Sequence, residues 1–259
     1  MSDDPTLTFN LLTVEVAIHT ILYVRQIYPA DLFVRRKKYD TPVYQSRHPA
    51  LNEYISGAVK AIEEELLLGH VDKVVVVIKN KEDIALERFI FAVSTMIEVE
   101  LFNKDTRLPP FGYFVEGAMT SRSLAQYFRS FLVKLNMIEA QLGQLEMGDE
   151  LSFAIVLELQ DTKAPAASHD EDPPPWIPAP SQHATASVSE SAELHMIRAV
   201  DTGIINLSLA VQESEEKLKT HREDDTQRKG KGLHCQNLPE VVPMTSLYYL
   251  PITSNEIRS

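Results

Sequence analysis

The sequence predicts an α+β fold with three helices packed on one face of a mostly antiparallel sheet. Three long stretches repeat apolar residues every three or four positions, the spacing of a helix face. Shorter stretches alternate apolar and polar residues, or run through β-branched residues, as strands do. Three helices with a mostly hairpin-built set of strands suit helices gathered on one face of a mostly antiparallel sheet.

The first helix is expected over residues 11–28, where Leu11, Val14, Ile18, Ile21, Leu22 and Arg25 keep helical spacing. Its apolar stripe is broad, so it should be buried on most sides, and Pro29 should stop it. The second is expected over 48–68, with Ser46 as a cap, Gly69 as a stop and Glu63, Glu64 and Glu65 largely on the wet face. A buried strand at 74–78 (VVVVI), a polar turn at 79–83 and a return strand ALERFIFAV make a hairpin. Residues 95–119 show no firm period and are expected as an irregular loop. Leu124, Tyr127, Phe128, Phe131, Leu132, Leu135 and Ile138 then mark a third helix over 121–142. A Phe and Leu stripe at that spacing reads as core.

Residues 150–160 alternate cleanly through Leu151, Phe153, Ile155, Leu157 and Leu159, giving a long strand. Composition then shifts. Residues 161–192 contain PPPWIPAP and a Ser/Ala-rich run, and are expected as a mobile loop inside the domain, because two strands follow at 193–200 and 204–212 around a turn at Asp201-Thr202-Gly203. So long a loop inside a compact domain is uncommon and points to function or disorder. Residues 1–10 are a short extension. Residues 214–259 are expected as a charged, disordered tail, although its apolar end NLPEVVPMTSLYYLPITS could also add a strand.

The formal net charge of −12 argues against direct sequence-specific DNA binding, which usually carries a basic footprint. The one basic cluster, Arg35-Arg36-Lys37-Lys38, reads as a solvated loop. A single cysteine, Cys235, excludes an intrachain disulfide and fits a reducing compartment. The opening MSDDPTLTFN has acidic residues where a signal peptide has basic ones, and no apolar run reaches the length of a membrane span.

The chemistry of catalysis leaves no trace. Neither GxGxxG nor GxxxxGK[ST] occurs, nor HExxH, nor a GxSxG elbow. The His234-Cys235 pair has no partner spacing for a metal. We expect no enzyme, no cofactor and no metal.

Three strings carry a family resemblance: ILYVRQIYP, RRKKY and HPALNEYI, all within residues 17–55. With VDKVVVVIKNKED, ERFIFAV and SLAQYFRSFLVKL they resemble the HORMA-domain accessory subunits of DNA polymerase zeta. The likeness covers most of 11–160 and returns at PPPWIP and ELHMIRAVDTGIINLSLAV. A spindle-checkpoint or chromosome-axis HORMA adaptor is the alternative.

The resemblance implies a HORMA domain over 11–213, with 161–213 as a safety belt that closes over an extended partner peptide. It implies an adaptor in translesion synthesis, in the nucleus and also in the cytoplasm. Its partners would be the polymerase's catalytic subunit, a scaffolding translesion polymerase, a second HORMA copy and a remodelling ATPase. By the same resemblance Tyr54 and Trp176 hold the catalytic subunit's proline-containing peptide. Leu194, Arg198, Ser208 and Ala210 match a second partner interface. There Ser208 and Ala210 depart from the family's larger residues. Arg129, with Arg35 and Ala140, matches a dimer face. From the residues alone, Tyr54 reads as a half-buried helix tyrosine, Trp176 as a side chain that could dock on its own domain, and Arg129 as a surface arginine. Beyond the family, the tail segment Leu238–Pro243 carries two prolines and could enter the protein's own belt or a neighbour's.

Overall fold

The computed structural model describes residues 5–95, 121–143, 145, 151–160, 164–165, 176–185, 192–201, 205–218 and 247–249. Its backbone is a seven-stranded sheet, with helices on one face and a separate two-stranded ribbon.

Helix α1 spans Pro5–Val24. Val14, Ala17, Ile18, Ile21 and Leu22 are all buried, as the broad stripe requires. The helix ends before Pro29. Gln26 takes φ 54°, Ile27 N–H donates to Leu22 O and Gln26 N–H to Tyr23 O, so a left-handed residue terminates it instead of the proline.

The strands β1 (Phe33–Lys38) and β2 (Thr41–Ser46) pair antiparallel through a two-residue turn at Tyr39 and Asp40, both with positive φ. The basic cluster is therefore a strand and not a loop. Its burial is confined to Phe33, while Val43 and Ser46 anchor β2 beneath α1 and α3. Tyr44 stacks on Tyr23 of α1 at 3.5 Å between ring centroids.

Helix α2 (Pro49–Leu67) has Pro49 in its first turn, where the missing N–H costs nothing. Its N-cap is His48, and Ser46 instead accepts the His48 N–H at 3.0 Å. Gly69 at φ 66° closes the helix with His70 N–H donating to Glu65 O and Gly69 N–H to Leu66 O. The pair β3 (Val71–Lys79) and β4 (Ala85–Thr95) follows the expected hairpin. Helix α3 (Ser121–Asn136) and the short α4 (Glu139–Leu142) divide the helix expected over 121–142. The break falls where the Asn136 amide donates to Leu132 O and Pro42 O, local bonding that competes with the helical ladder.

Strands β5 (Ser152–Leu159), β7 (Glu193–Asp201) and β8 (Ile205–Glu213) lie where alternation places them. Two short strands complete the sheet, β6 (Ile177–Pro178) and β9 (Leu247–Tyr249). The order is β6-β9-β5-β3-β4-β8-β7, with neighbours antiparallel. The sheet's helix face holds Val74, Val76, Ile78, Phe89, Phe91, Phe153, Ile155 and Leu157 in the main core, with side chains of α1, α2 and α3. The opposite face holds Val75, Val77, Ile90, Ala154 and Val156 in a smaller cluster.

Two expectations about chain order need correction. Residues 176–185, inside the stretch expected as a mobile loop, lie against the sheet, because Trp176, His183 and Ala184 are buried there. The tail expected as disordered is built into the domain at 214–218 and at Leu247–Tyr249. Ser214 and Lys217 are buried in the domain, and Leu247–Tyr249 pairs with β5. Residues 96–119 of the expected irregular loop, the turn residues 202–204 and the tail segment Leu238–Pro243 lie outside the described residues.

Candidate peptide-binding site

Beside β5 is a seat one strand wide. Strand β9 fills it, with Val156 opposite Tyr249, Leu157 opposite Tyr248 and Glu158 opposite Leu247. On its far side β6 pairs Ile177 with Tyr249 and Pro178 with Tyr248, and Ala179 N–H donates to Leu247 O at 2.9 Å. A strand here has both backbone edges satisfied, which is how an added strand gains affinity without reference to its side chains.

The segment 176–185 fastens this seat to the sheet at both ends. Trp176 is 3 % exposed and belongs to the main core. At the other end Thr185 N–H and Oγ1 donate to the two oxygens of Glu158, at 2.6 and 2.7 Å. Glu158 is itself buried and also accepts from Lys73 Nζ at 3.0 Å. Between them, Arg88 of β4 donates to Gln182 O, Gln182 Nε2 donates to Asp83 O at 3.1 Å, and the His183 ring lies 3.3 Å from the same carbonyl. Burial pulls the pKa of His183 down, so its neutral form is favoured there, although Asp83 opposes the shift.

Tyr54 and Trp176 converge on the seat from different elements. Tyr54 projects from α2, half-buried, edge-on to Phe153 of β5 at 5.8 Å between centroids. Its hydroxyl pKa is raised well above the usual range, mainly by burial. A backbone hydrogen bond with Ile155 of β5 works against that, and nearby Tyr28 and Tyr249 add to it. Trp176 immediately precedes Ile177, whose register partner is Tyr249.

The second group is only partly united. Leu194 faces Gln212, and Met196 faces Ala210, on the sheet face away from the helices, with Ser208 on the same side of β8. A bulge between Met196 and Arg198 then sets Arg198 opposite Leu209, whose side chain belongs to the helix-side core. Leu194 and Met196 are 58 % and 62 % exposed, whereas Ala210 is buried and offers little surface. Met196 was not singled out in the sequence, where it reads as one more apolar strand residue. In the third group Arg129 and Ala140 are exposed along α3 and α4, and Arg35 is exposed on β1. Arg129 reaches Asp40 electrostatically, helping Lys37 to hold that carboxyl below its ordinary pKa.

A buried ionic cluster anchors the end of β8. Arg25 at the end of α1 makes a two-point bond to Glu87 of β4, at 2.9 and 2.6 Å. Lys217, one helical turn beyond β8, donates to Glu87 at 2.6 Å, to Leu142 O at 2.7 Å and to Glu213. His195 Nε2 lies 2.9 Å from the other oxygen of Glu213. Glu193, His195 and Glu213 offer donor atoms within 4.8 Å of one another, but the Lys217 ammonium already balances Glu213, so a cation there would have to displace it.

The chain matches the HORMA domain family over residues 10–205. It is a HORMA-domain protein. Among curated proteins it is 32% identical over 209 residues to the mitotic spindle assembly checkpoint protein MAD2B of Danio rerio, covering 78% of this chain and 88% of that one. It is 35% identical over 146 residues to the DNA polymerase zeta processivity subunit of Schizosaccharomyces pombe, covering 56% of this chain and 65% of that protein. Its fold matches the C. elegans protein HTP-2 bound to a HIM-3 closure motif, with a TM-score of 0.60 and 14% identity over 81% of this chain and 90% of that one. The matched segment runs from within α1 to the first residue of β8.

Proposed function

We propose that this HORMA protein is the non-catalytic accessory subunit of DNA polymerase zeta, and that it clamps a proline-containing peptide of the catalytic subunit between β5 and β6. The observation that carries the reading is the one-strand seat enclosed by a segment fastened at Trp176 and at Thr185. A peptide held there gains main-chain bonds on both sides, and the fastened segment slows its escape. The relative named as a polymerase zeta processivity subunit supports the choice of partner. In this reading Tyr54 and Trp176 shape the walls of the seat. The exposed Leu194 and Met196, with Ser208 and the buried Ala210 on the same face, bridge to a scaffolding translesion polymerase, and Arg198 meets it from beyond the bulge. Arg35, Arg129 and Ala140 meet a second HORMA copy. A remodelling ATPase reopens the belt, and the protein works in the nucleus.

Calorimetric titration with a proline-containing peptide from the same organism's polymerase zeta catalytic subunit tests the proposal. Binding that is lost in both Trp176→Ala and Tyr54→Ala is the expected result. A folded protein that ignores this peptide but binds one from a spindle-checkpoint or chromosome-axis partner moves the assignment to that pathway.

A further inference from the structure

The seat is not empty: a segment of the same chain lies in it. We infer that Leu247-Tyr248-Tyr249 is a built-in ligand of the clamp, and that an external peptide binds by displacing it. The inference rests on the seat being a peptide site, as proposed above, but names an occupant which that reading does not require.

Three observations carry it. First, β9 is an interior strand, paired with β5 on one side and β6 on the other, so it sits inside the enclosure and not upon it. Second, its side chains alternate in the way the seat demands. Leu247 is 7 % exposed and joins Val75, Val77, Ala154 and Val156 on the outer face, with Tyr249 against the same cluster, while Tyr248 packs on the main core. Third, Ala179 of the enclosing segment donates its N–H to Leu247 O, so the enclosure is hydrogen-bonded to the backbone of this occupant. In the sequence Pro243 and Pro251 flank the strand, and a proline cannot donate to a ladder. Residues 219–246 tether it to the domain, so its local concentration is high whatever the protein concentration.

The occupant also defines the ligand class. The seat accepts an extended, antiparallel segment with an aliphatic residue toward the outer face, then an aromatic residue toward the helices, then an aromatic residue outward again. A tethered competitor lowers apparent affinity by the fraction of molecules in which the seat is free.

The experiment uses the full chain and two fluorescent synthetic peptides. One copies residues 240–256 of this chain, and the other is the catalytic-subunit peptide. The full chain with Leu247→Asp and Tyr249→Asp should bind the 240–256 peptide about tenfold more tightly than the unaltered chain, the factor set by a seat free in about one molecule in ten. Equal affinity, or no binding of that peptide by either chain, overturns the inference. Binding of the catalytic-subunit peptide in that case leaves the clamp reading intact. Conversely, tail-peptide binding without catalytic-subunit binding sustains the inference and removes the partner assignment.

A second variant avoids unfolding and reads occupancy directly. Ile177→Cys with Tyr249→Cys, in a chain also carrying Cys235→Ser, places thiols at register partners. Oxidation should give a monomeric cross-linked species that refuses both peptides until it is reduced. Failure to cross-link overturns the inference. A cross-linked dimer overturns its intramolecular form, because the occupant would then come from a neighbouring copy.

Discussion

Lys217 Nζ lies 2.6 Å from Glu87 Oε1, and both side chains are almost without solvent contact. The pair ties the chain just beyond β8 to the centre of the sheet, where Glu87 also carries Arg25 from α1. Burying four charged groups together is favourable only when each is met. Removing one member costs more than the pair contributes on its own account.

Lys217→Met keeps the length of the side chain but leaves Leu142 O without its donor and one negative charge uncompensated. The expected loss is about 3 kcal/mol of unfolding free energy. For a chain of this size that is a fall of about 10 °C in Tm, measured by thermal melting.

His19 supplies a pH dependence. It is 3 % exposed in α1, accepts the Ser46 N–H at 3.5 Å, and burial lowers its pKa to about 4 from the ordinary 6.5. The unfolded chain therefore takes up a proton at a higher pH than the folded one. The stability that neutral His19 allows is complete above pH 6.5 and declines as pH falls toward 4. Between pH 6.5 and 5 the decline should be about 2 kcal/mol. In His19→Gln, which retains an acceptor for Ser46, chemical denaturation across that interval should show most of this decline gone.

Thr185→Val removes one hydroxyl bond to a buried carboxylate while leaving the Thr185 backbone contact and Lys73 in place. The loss is about 1.5 kcal/mol, concentrated in the fastening of residues 176–185. Peptide release should accelerate about tenfold with association little changed. Stopped-flow displacement separates the two rates.

Leu194→Glu with Met196→Glu alters two side chains that already face solvent. Stability should change by less than about 0.5 kcal/mol for each, and affinity for the clamped peptide should hold. Capture of the scaffolding translesion polymerase by the purified protein should be lost. Retained capture would place that partner elsewhere on the surface.

Most of the scaffold was legible because its elements are long and periodic. The stripe of α3, the β-branched run of β3 and the alternation of β5 each repeat often enough to declare a face. The ribbon β1–β2 was hidden because its strands are short, four of its residues are consecutive cations, and Pro42 interrupts the second. The signal that could have revealed it is the Tyr39-Asp40 pair between two extended runs, where both residues adopt positive φ. Lys217 was hidden for a different reason. It stands in a charged sequence that looks solvated, and only the fold shows that Glu87 and Glu213 wait for it. Strand β9 is three residues long and leaves no period to read. Tyr54 and Trp176 were singled out only through resemblance, and from the chain alone they are an ordinary helix tyrosine and a tryptophan among prolines. The resemblance grouped Arg198 with Leu194, but the bulge that parts them is a matter of register that no motif records.

Strand β5 is buried in seven of its eight residues. Left with an open side, such a strand is an adhesive: its unpaired amides and carbonyls would template another chain's strand as readily as they take a legitimate one. A strand held over that side in most molecules would make the protein safe to store before any assembly exists to receive it. Excess copies would then meet one another as inert bodies and not as seeds for aggregation.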